Sequence, residues 1–320
     1  MRVNLVIATY AGYYSVMNKK NYLKYNLTLL NKIKTNVAQI TIMKPKVDLE
    51  HQEHKDYYNL GDIDLSNIKD RIKIIECDNH GISYGQFLNA IMNNTEFDYH
   101  IFVEDDYVVF MDYFEDYLVH ELNKKPDNSF LCLFYYHSKR YTLLDSINNV
   151  ESSEIGSELI NIMSKNNLEM HSSFITPDFS LGIISQQSTE KIFKRFACKK
   201  TLTDLLSIKY KNLWIHQIFF GYILFASGIE IHDLADKNIN LFYHTGGNVS
   251  MCNFDININT WKEHPYNGEK MDIPVFVPIE FFHPHNKYSQ QMPFLEQYLY
   301  DYELFTKQFN FLNNEMVRIA

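Results

Sequence analysis

Four short apolar runs constrain this chain more than anything else in it. Residues 3–8 (VNLVIA), 37–43 (VAQITIM), 72–77 (IKIIEC) and 100–103 (HIFV) have strand length and strand-like side chains. Between the first two, Leu23, Leu27, Leu30 and Ile33 recur at helical spacing. Residues 46–70 are polar and read as irregular, with a turn near Gly61-Asp62. After the third run comes a turn, Asp78-Asn79-His80-Gly81. Ser83-Tyr84-Gly85-Gln86 then has the form of a capping box opening a helix through about Asn93. Strand and helix in alternation predict an α/β protein with a mostly parallel sheet and right-handed crossovers.

The second half is less regular. The pattern predicts a helix over 112–123, a strand over 129–136, loop with one short helix over 138–173 and a strand over 179–185. An apolar helix over 213–226, a strand over 239–244 and a helical tail over 292–313 follow. Residues 1–250 read as one catalytic-sized domain, with halves 1–110 and 111–250, and 251–320 as a C-terminal extension packed on it.

Hydrophobic residues make up 46% of the 320 and charged residues 22%, the balance of an ordinary soluble globular chain. The net charge of −9 and the lack of a long basic run argue against nucleic-acid binding. Cys77, Cys132, Cys198 and Cys252 are far apart and form no C-x-x-C pair. That disfavours a zinc site or a disulfide scaffold and fits a reducing, cytoplasmic setting. Residues 3–8 read as a strand and not as part of a signal peptide. The most apolar segment, 213–229, carries His216, Gln217 and two glycines and falls short of a membrane span.

The fourth apolar run climbs directly into Glu104-Asp105-Asp106, after which Val108, Val109 and Phe110 resume the apolar pattern. Three adjacent carboxylates at a strand end repel one another, and a divalent cation is the simplest compensation. Mg²⁺ and Mn²⁺ favour carboxylate and phosphate oxygens. In strand geometry Glu104 and Asp106 share a side and Asp105 faces the other way. A solvated acidic turn is the structural alternative.

The segment F-V-E-D-D-Y-V-V-F-x-D-Y-F resembles the E-D-D form of the D-x-D motif in N-acetylglucosaminyltransferase I-like and family 2-like glycosyltransferases of the GT-A fold. Residues Asn79 to Ala90 are similar to the turn-helix that precedes this motif in such enzymes, and Val6-Ile7-Ala8-Thr9-Tyr10 to their first strand. The resemblance covers about residues 1–115. It implies a GT-A-like, Rossmann-like central sheet flanked by helices, a nucleoside-diphosphate-sugar donor, UDP by preference, a bound Mn²⁺ or Mg²⁺, and a hydroxyl acceptor, a glycan by expectation. By the same resemblance Asp106 coordinates the metal, Asp105 approaches the ribose and Glu104 faces the metal's water or the sugar. Thr9 and Tyr10 border the base, Asp78, Gly81, Ser83 and Gln86 line the nucleotide side, and Asn89 braces the helix. A metal acting as Lewis acid would stabilise charge building on the leaving pyrophosphate.

His244, at the end of a strand-like run before Thr245-Gly246-Gly247, is a second metal-ligand candidate; a strand-end histidine is the alternative. An imidazole ligand favours Mn²⁺. His283 and His285, flanking Pro284, read as loop histidines. The catalytic base has two candidates. His216 stands near the place where such enzymes carry an acidic pair, which this chain lacks, and reads equally as a core histidine. Asp178, in Thr176-Pro177-Asp178-Phe179, reads equally as a turn residue. The alternatives to a glycosyltransferase are a sugar-nucleotide nucleotidyltransferase, against which residues 8–13 lack a Gly-rich basic segment, and an inactive transferase-like glycan-binding protein.

Overall fold

The computed structural model describes residues 1–9, 11, 21–46, 52–78, 81–105, 107–109, 113–132, 142–144, 153–177, 182–196, 201–202, 204–205, 214–233, 242–244, 256–257 and 260–261. In chain order the elements are β1 (Val3–Ala8), α1 (Tyr22–Leu30), β2 (Gln39–Pro45), α2 (Gln52–Tyr57), β3 (Ile72–Cys77), α3 (Ile82–Asn93), β4 (Tyr99–Glu104) and β5 (Tyr107–Val109). They continue with α4 (Phe114–Asn123), β6 (Ser129–Cys132), α5 (Ser153–Lys165), β7 (Gly182–Ser185), α6 (Gln186–Arg195), α7 (Trp214–Ala226), β8 (Glu230–Asp233) and β9 (Phe242–His244). A short hairpin, β10 (Ile256–Asn257) and β11 (Thr260–Trp261), follows.

Seven strands form one sheet in the order β3-β2-β1-β4-β7-β6-β8. β1, β2, β3 and β4 are mutually parallel, β6 is parallel to β8, and β7 alone runs against its neighbours. This is the mostly parallel, Rossmann-like sheet that the strand–helix alternation predicts. Its central strands are buried on both faces. Val6, Ala8, Phe102, Phe130 and Ile184 point into one core with Phe87 and Ile91 of α3 and Phe219, Phe220 and Ile223 of α7. Leu5, Ile7, Ile42, Ile101 and Val103 point into the other, with Leu23 and Leu27 of α1, Tyr57 of α2 and Phe114 and Leu118 of α4. Burying alternate residues of one strand on opposite faces explains why β1 and β4 are continuous apolar runs rather than alternating ones.

One polar row crosses this core. Thr41 donates from Oγ1 to Asn4 Oδ1 (2.7 Å), and Asn4 Nδ2 donates to Nδ1 of the fully buried His100 (3.3 Å). A slip of any of β2, β1 or β4 would leave these groups unpaired, so the row fixes their register.

The sequence reading departs from the structure at definite places. The stretch 46–70 contains the short helix α2, and the strand predicted at 37–43 runs from Gln39 to Pro45. The one short helix expected within 138–173 is present as α5, with 13 residues. α6, capped by Ser188 N–H donating to Ser185 Oγ (3.2 Å), and β8 carry no expectation at all. The Ser83 capping box does not form: Gly81, left-handed at φ 73°, is the cap residue, and Gln86 is used elsewhere. Among the described residues no helix is long and apolar enough to cross a membrane; the most apolar, α7, has 13 residues. The tail predicted at 292–313, the division at 250, and His283 and His285 lie outside the described residues.

Candidate functional site at the ends of the central strands

Strand order reverses between β1 and β4. From β1 the chain moves outward to β2 and β3, then returns to place β4 on the other side of β1. In such sheets the crevice outside the carboxyl ends of the strands at this switch point is the place where ligands bind. Thr9 follows β1 there and Asp105 follows β4, side by side: Ala8 pairs with Glu104, and Asp105 N–H donates to the Ala8 carbonyl (2.9 Å).

Each strand end is held from both faces. From the α3 face, Gln86 makes a reciprocal clamp on the Thr9 backbone. Thr9 N–H donates to Gln86 Oε1 (2.9 Å), and Gln86 Nε2 donates to the Thr9 carbonyl (2.8 Å). Both residues are buried, so the amide satisfies two backbone groups that would otherwise be stranded. From the α1/α2 face come two consecutive tyrosines, Tyr57 and Tyr58, packed edge to face with centroids 5.3 Å apart. The Tyr58 hydroxyl is 2.6 Å from Thr9 Oγ1, which itself lies 2.6 Å from the Met43 carbonyl at the end of β2. The Tyr57 hydroxyl donates to Asp105 Oδ2 (2.5 Å). Side-chain alternation along β4 continues through the acidic residues: Val103 and Asp105 face the α1/α2 side, Phe102 the α3 side.

The outer flank carries charge. Lys44 Nζ lies over the Tyr58 ring, 5.1 Å from its centroid, and 3.6 Å from Glu76. Lys46 pairs with Asp78 at 2.9 Å, and that hydrogen bond holds the lysine's pKa above its usual value. Both partners are more than half exposed, so the pair is easily exchanged for a ligand contact.

The sequence candidates fall as follows. Thr9, Gly81, Ser83 and Gln86 are buried along this edge, and the first turn of α3 opens on it because the helix runs antiparallel to the strands. Asp78 is exposed, and Asn89 is half-buried and bonded to Asn93 within α3 (2.8 Å). Glu104 is half-buried and Asp105 is 8% exposed. Tyr10, Asp106 and Asp178 lie outside the described residues, as does the side chain of His244. The backbone of His244 nevertheless has a definite position. β9 pairs antiparallel with β5, and His244 stands directly opposite Tyr107, the residue after Asp106.

His216 sits at the start of α7, 5% exposed, and burial pushes its pKa down to about 4. It is neutral at pH 7, and so low a pKa makes it a weak proton acceptor. The next residue, Gln217, donates from Nε2 to the Pro177 carbonyl (2.9 Å), and its own carbonyl accepts from Thr176 Oγ1 (2.9 Å). These bonds bring residue 177, which precedes Asp178, to the residue beside His216. The chain then re-enters the sheet at Gly182, opposite Phe102 near the end of β4.

Tyr57, Tyr58 and Lys44 are the site residues that pattern reading missed. The only sequence signal of the tyrosines is an aromatic pair inside a polar stretch, and Lys44, near the end of β2, has none. Among the described residues no group of three or more His, Cys, Asp or Glu side chains is gathered as a metal site.

No protein-family model and no curated protein matches the sequence. Among solved structures the chain is similar to 4-diphosphocytidyl-2C-methyl-D-erythritol synthase from Anaerococcus prevotii. The identity is 10% and the TM-score 0.36, over 73% of this chain and 86% of that one. A likeness at that score is no evidence of shared activity, and the functional reading rests on the strand ends themselves.

Proposed function

We propose that this chain is a metal-dependent glycosyltransferase that moves a sugar from a nucleoside-diphosphate sugar, UDP by preference, to a hydroxyl acceptor, a glycan by expectation. The observation that carries the reading is the position of Glu104 and Asp105. Glu104 closes the parallel strand β4, and Asp105 follows it into the crevice beside Thr9 at the switch point of the sheet.

The donor set fits a divalent cation. The backbone of His244 lies in register with Tyr107, which follows Asp106 in the sequence, and Asp106 and His244 are the ligands of this reading. A carboxylate and an imidazole as ligands suit Mn²⁺ better than Mg²⁺. When bound, the ion would supply Lewis-acid neutralisation of the departing diphosphate. The chain's own residues do the rest. Gln86 and Tyr58 fix Thr9, Asp105 meets the ribose, and residues 1–110 form the donor half. On the acceptor side Asp178 and His216 are the two candidate bases, and burial of His216, which pushes its pKa down to about 4, makes it a weak one.

The test is a thermal-shift panel of nucleotides and nucleotide sugars with and without Mn²⁺. A ligand at 100 times its Kd adds about 2.7 kcal/mol to stability. The expected outcome is stabilisation by UDP and one UDP-sugar in the presence of Mn²⁺ only. Stabilisation by a nucleoside triphosphate with a sugar 1-phosphate, and not by UDP-sugars, would replace this reading with nucleotidyl transfer.

A further inference from the structure

We infer that Tyr57 is a positioning residue that aims the Asp105 carboxylate at a nucleotide's ribose hydroxyls, driven by the N-terminus of α1. The inference rests on the donor-site reading above and names a residue and a relay that the sequence pattern does not contain.

The geometry is a chain of three groups. Leu23 N–H, in the first turn of α1, donates to the Tyr57 hydroxyl (3.2 Å), and that hydroxyl donates to Asp105 Oδ2 (2.5 Å). α1 is nine residues long and starts at an Asn21 cap: Lys24 N–H donates to Asn21 Oδ1 (3.0 Å), while Asn21 Nδ2 donates to the Tyr57 carbonyl (2.7 Å). The cap residue therefore grips the backbone of the same tyrosine whose hydroxyl the helix polarises. A helix N-terminus carries partial positive charge. Its N–H groups strengthen the next hydrogen bond in line, the one reaching the carboxylate.

Three features separate this from an ordinary core tyrosine. Tyr57 is 2% exposed, yet its hydroxyl is spent on an acidic residue that follows a strand at the ligand crevice. Burial first, and the Asp105 carboxylate second, push the phenol's pKa well above its usual value, so the group stays a donor. And the hydroxyl anchors a carboxylate whose backbone is itself tied to the end of β1, where Asp105 N–H donates to the Ala8 carbonyl (2.9 Å). A carboxylate without that anchor keeps rotamer freedom, which a ligand must then remove at a cost in affinity.

A merely structural tyrosine and a positioning one differ in what they do to discrimination. The test measures, by calorimetry with Mn²⁺ present, the affinities of the full-length protein for UDP, 2′-deoxy-UDP and 3′-deoxy-UDP. Wild-type protein is expected to prefer UDP over at least one deoxy analogue by about tenfold, the scale of one hydrogen bond to a charged group. Tyr57→Phe should lower UDP affinity about tenfold and leave that analogue's affinity unchanged, collapsing the ratio. Equal weakening of all three ligands, an unchanged ratio in Tyr57→Phe, or wild-type protein that does not discriminate would each overturn the inference. If wild-type protein binds no UDP with Mn²⁺, the donor-site reading itself has failed. Should Tyr57→Phe not fold, Asn21→Ala, which removes the cap of α1 and its grip on the Tyr57 carbonyl, reads the same ratio: collapse supports the relay and retention overturns it.

Discussion

Gln86 shows how much one side chain does in this molecule. It satisfies both backbone groups of Thr9 and so ties α3 to the end of β1. Gln86→Leu keeps the volume but strands a buried N–H and a buried carbonyl. Urea unfolding should report a loss of about 2–4 kcal/mol, the cost of two unsatisfied buried groups. His100 and His216 act on stability through pH. Burial lowers each pKa from 6.5 to about 4. The unfolded chain therefore binds more protons than the folded one between those values. Stability is fully present above about pH 6.5 and falls as pH drops toward 4, by up to about 1.4 kcal/mol per pH unit for each histidine. Urea midpoints measured from pH 7 to 4.5 should follow that slope, and His100→Asn should reduce it.

At the scale of elements, two glycines decide whether the second half of the sheet can close. A Cβ on Gly182 would lie 2.2 Å from Phe130 Cζ and 2.7 Å from the Leu131 carbonyl, so β7 can lie between β4 and β6 only with glycine there. A Cβ on Gly221 would lie 2.6 Å from Thr176 Cβ. Gly221→Ala should cost about 1–3 kcal/mol by overpacking. It should also displace the 176–178 segment from α7, so that transfer activity falls more than UDP affinity does; paired thermal melts and kinetics check both. The same elements show what a sequence makes legible. β1 was readable to the residue because a buried parallel strand is a short apolar run, and β3, an edge strand mostly open to solvent, because its isoleucines stand between turn residues. α2 was not, because six polar residues ending in a tyrosine have no periodic face; its place is fixed by the Tyr57 and Tyr58 hydroxyls, which reach Asp105 and Thr9 across 48 and 49 residues. The Ser83 box misled for a related reason. Gln86 has the right spacing for a local cap, but a long-range backbone partner is the better use of a buried amide.

For the whole molecule, the sheet order places the ends of β1 and β4 together, and everything proposed about function follows from what stands there. The acidic triplet was legible because it interrupts an apolar pattern. The relation of His244 to it was not, since only the pairing of β5 with β9 brings residues 107 and 244 opposite each other. His244→Ala should weaken Mn²⁺ affinity about 10- to 100-fold, the scale on which changes around a bound metal are felt. The central claim is a metal-dependent nucleotide site at the end of β4. Calorimetric titration of UDP into wild-type protein and Asp106→Ala, each with and without Mn²⁺, tests it most directly. The expected result is binding by wild-type protein that requires Mn²⁺ and is abolished in Asp106→Ala, with the melting temperature of the free protein unchanged. Equal UDP affinity in the two proteins, or binding indifferent to Mn²⁺, would contradict it.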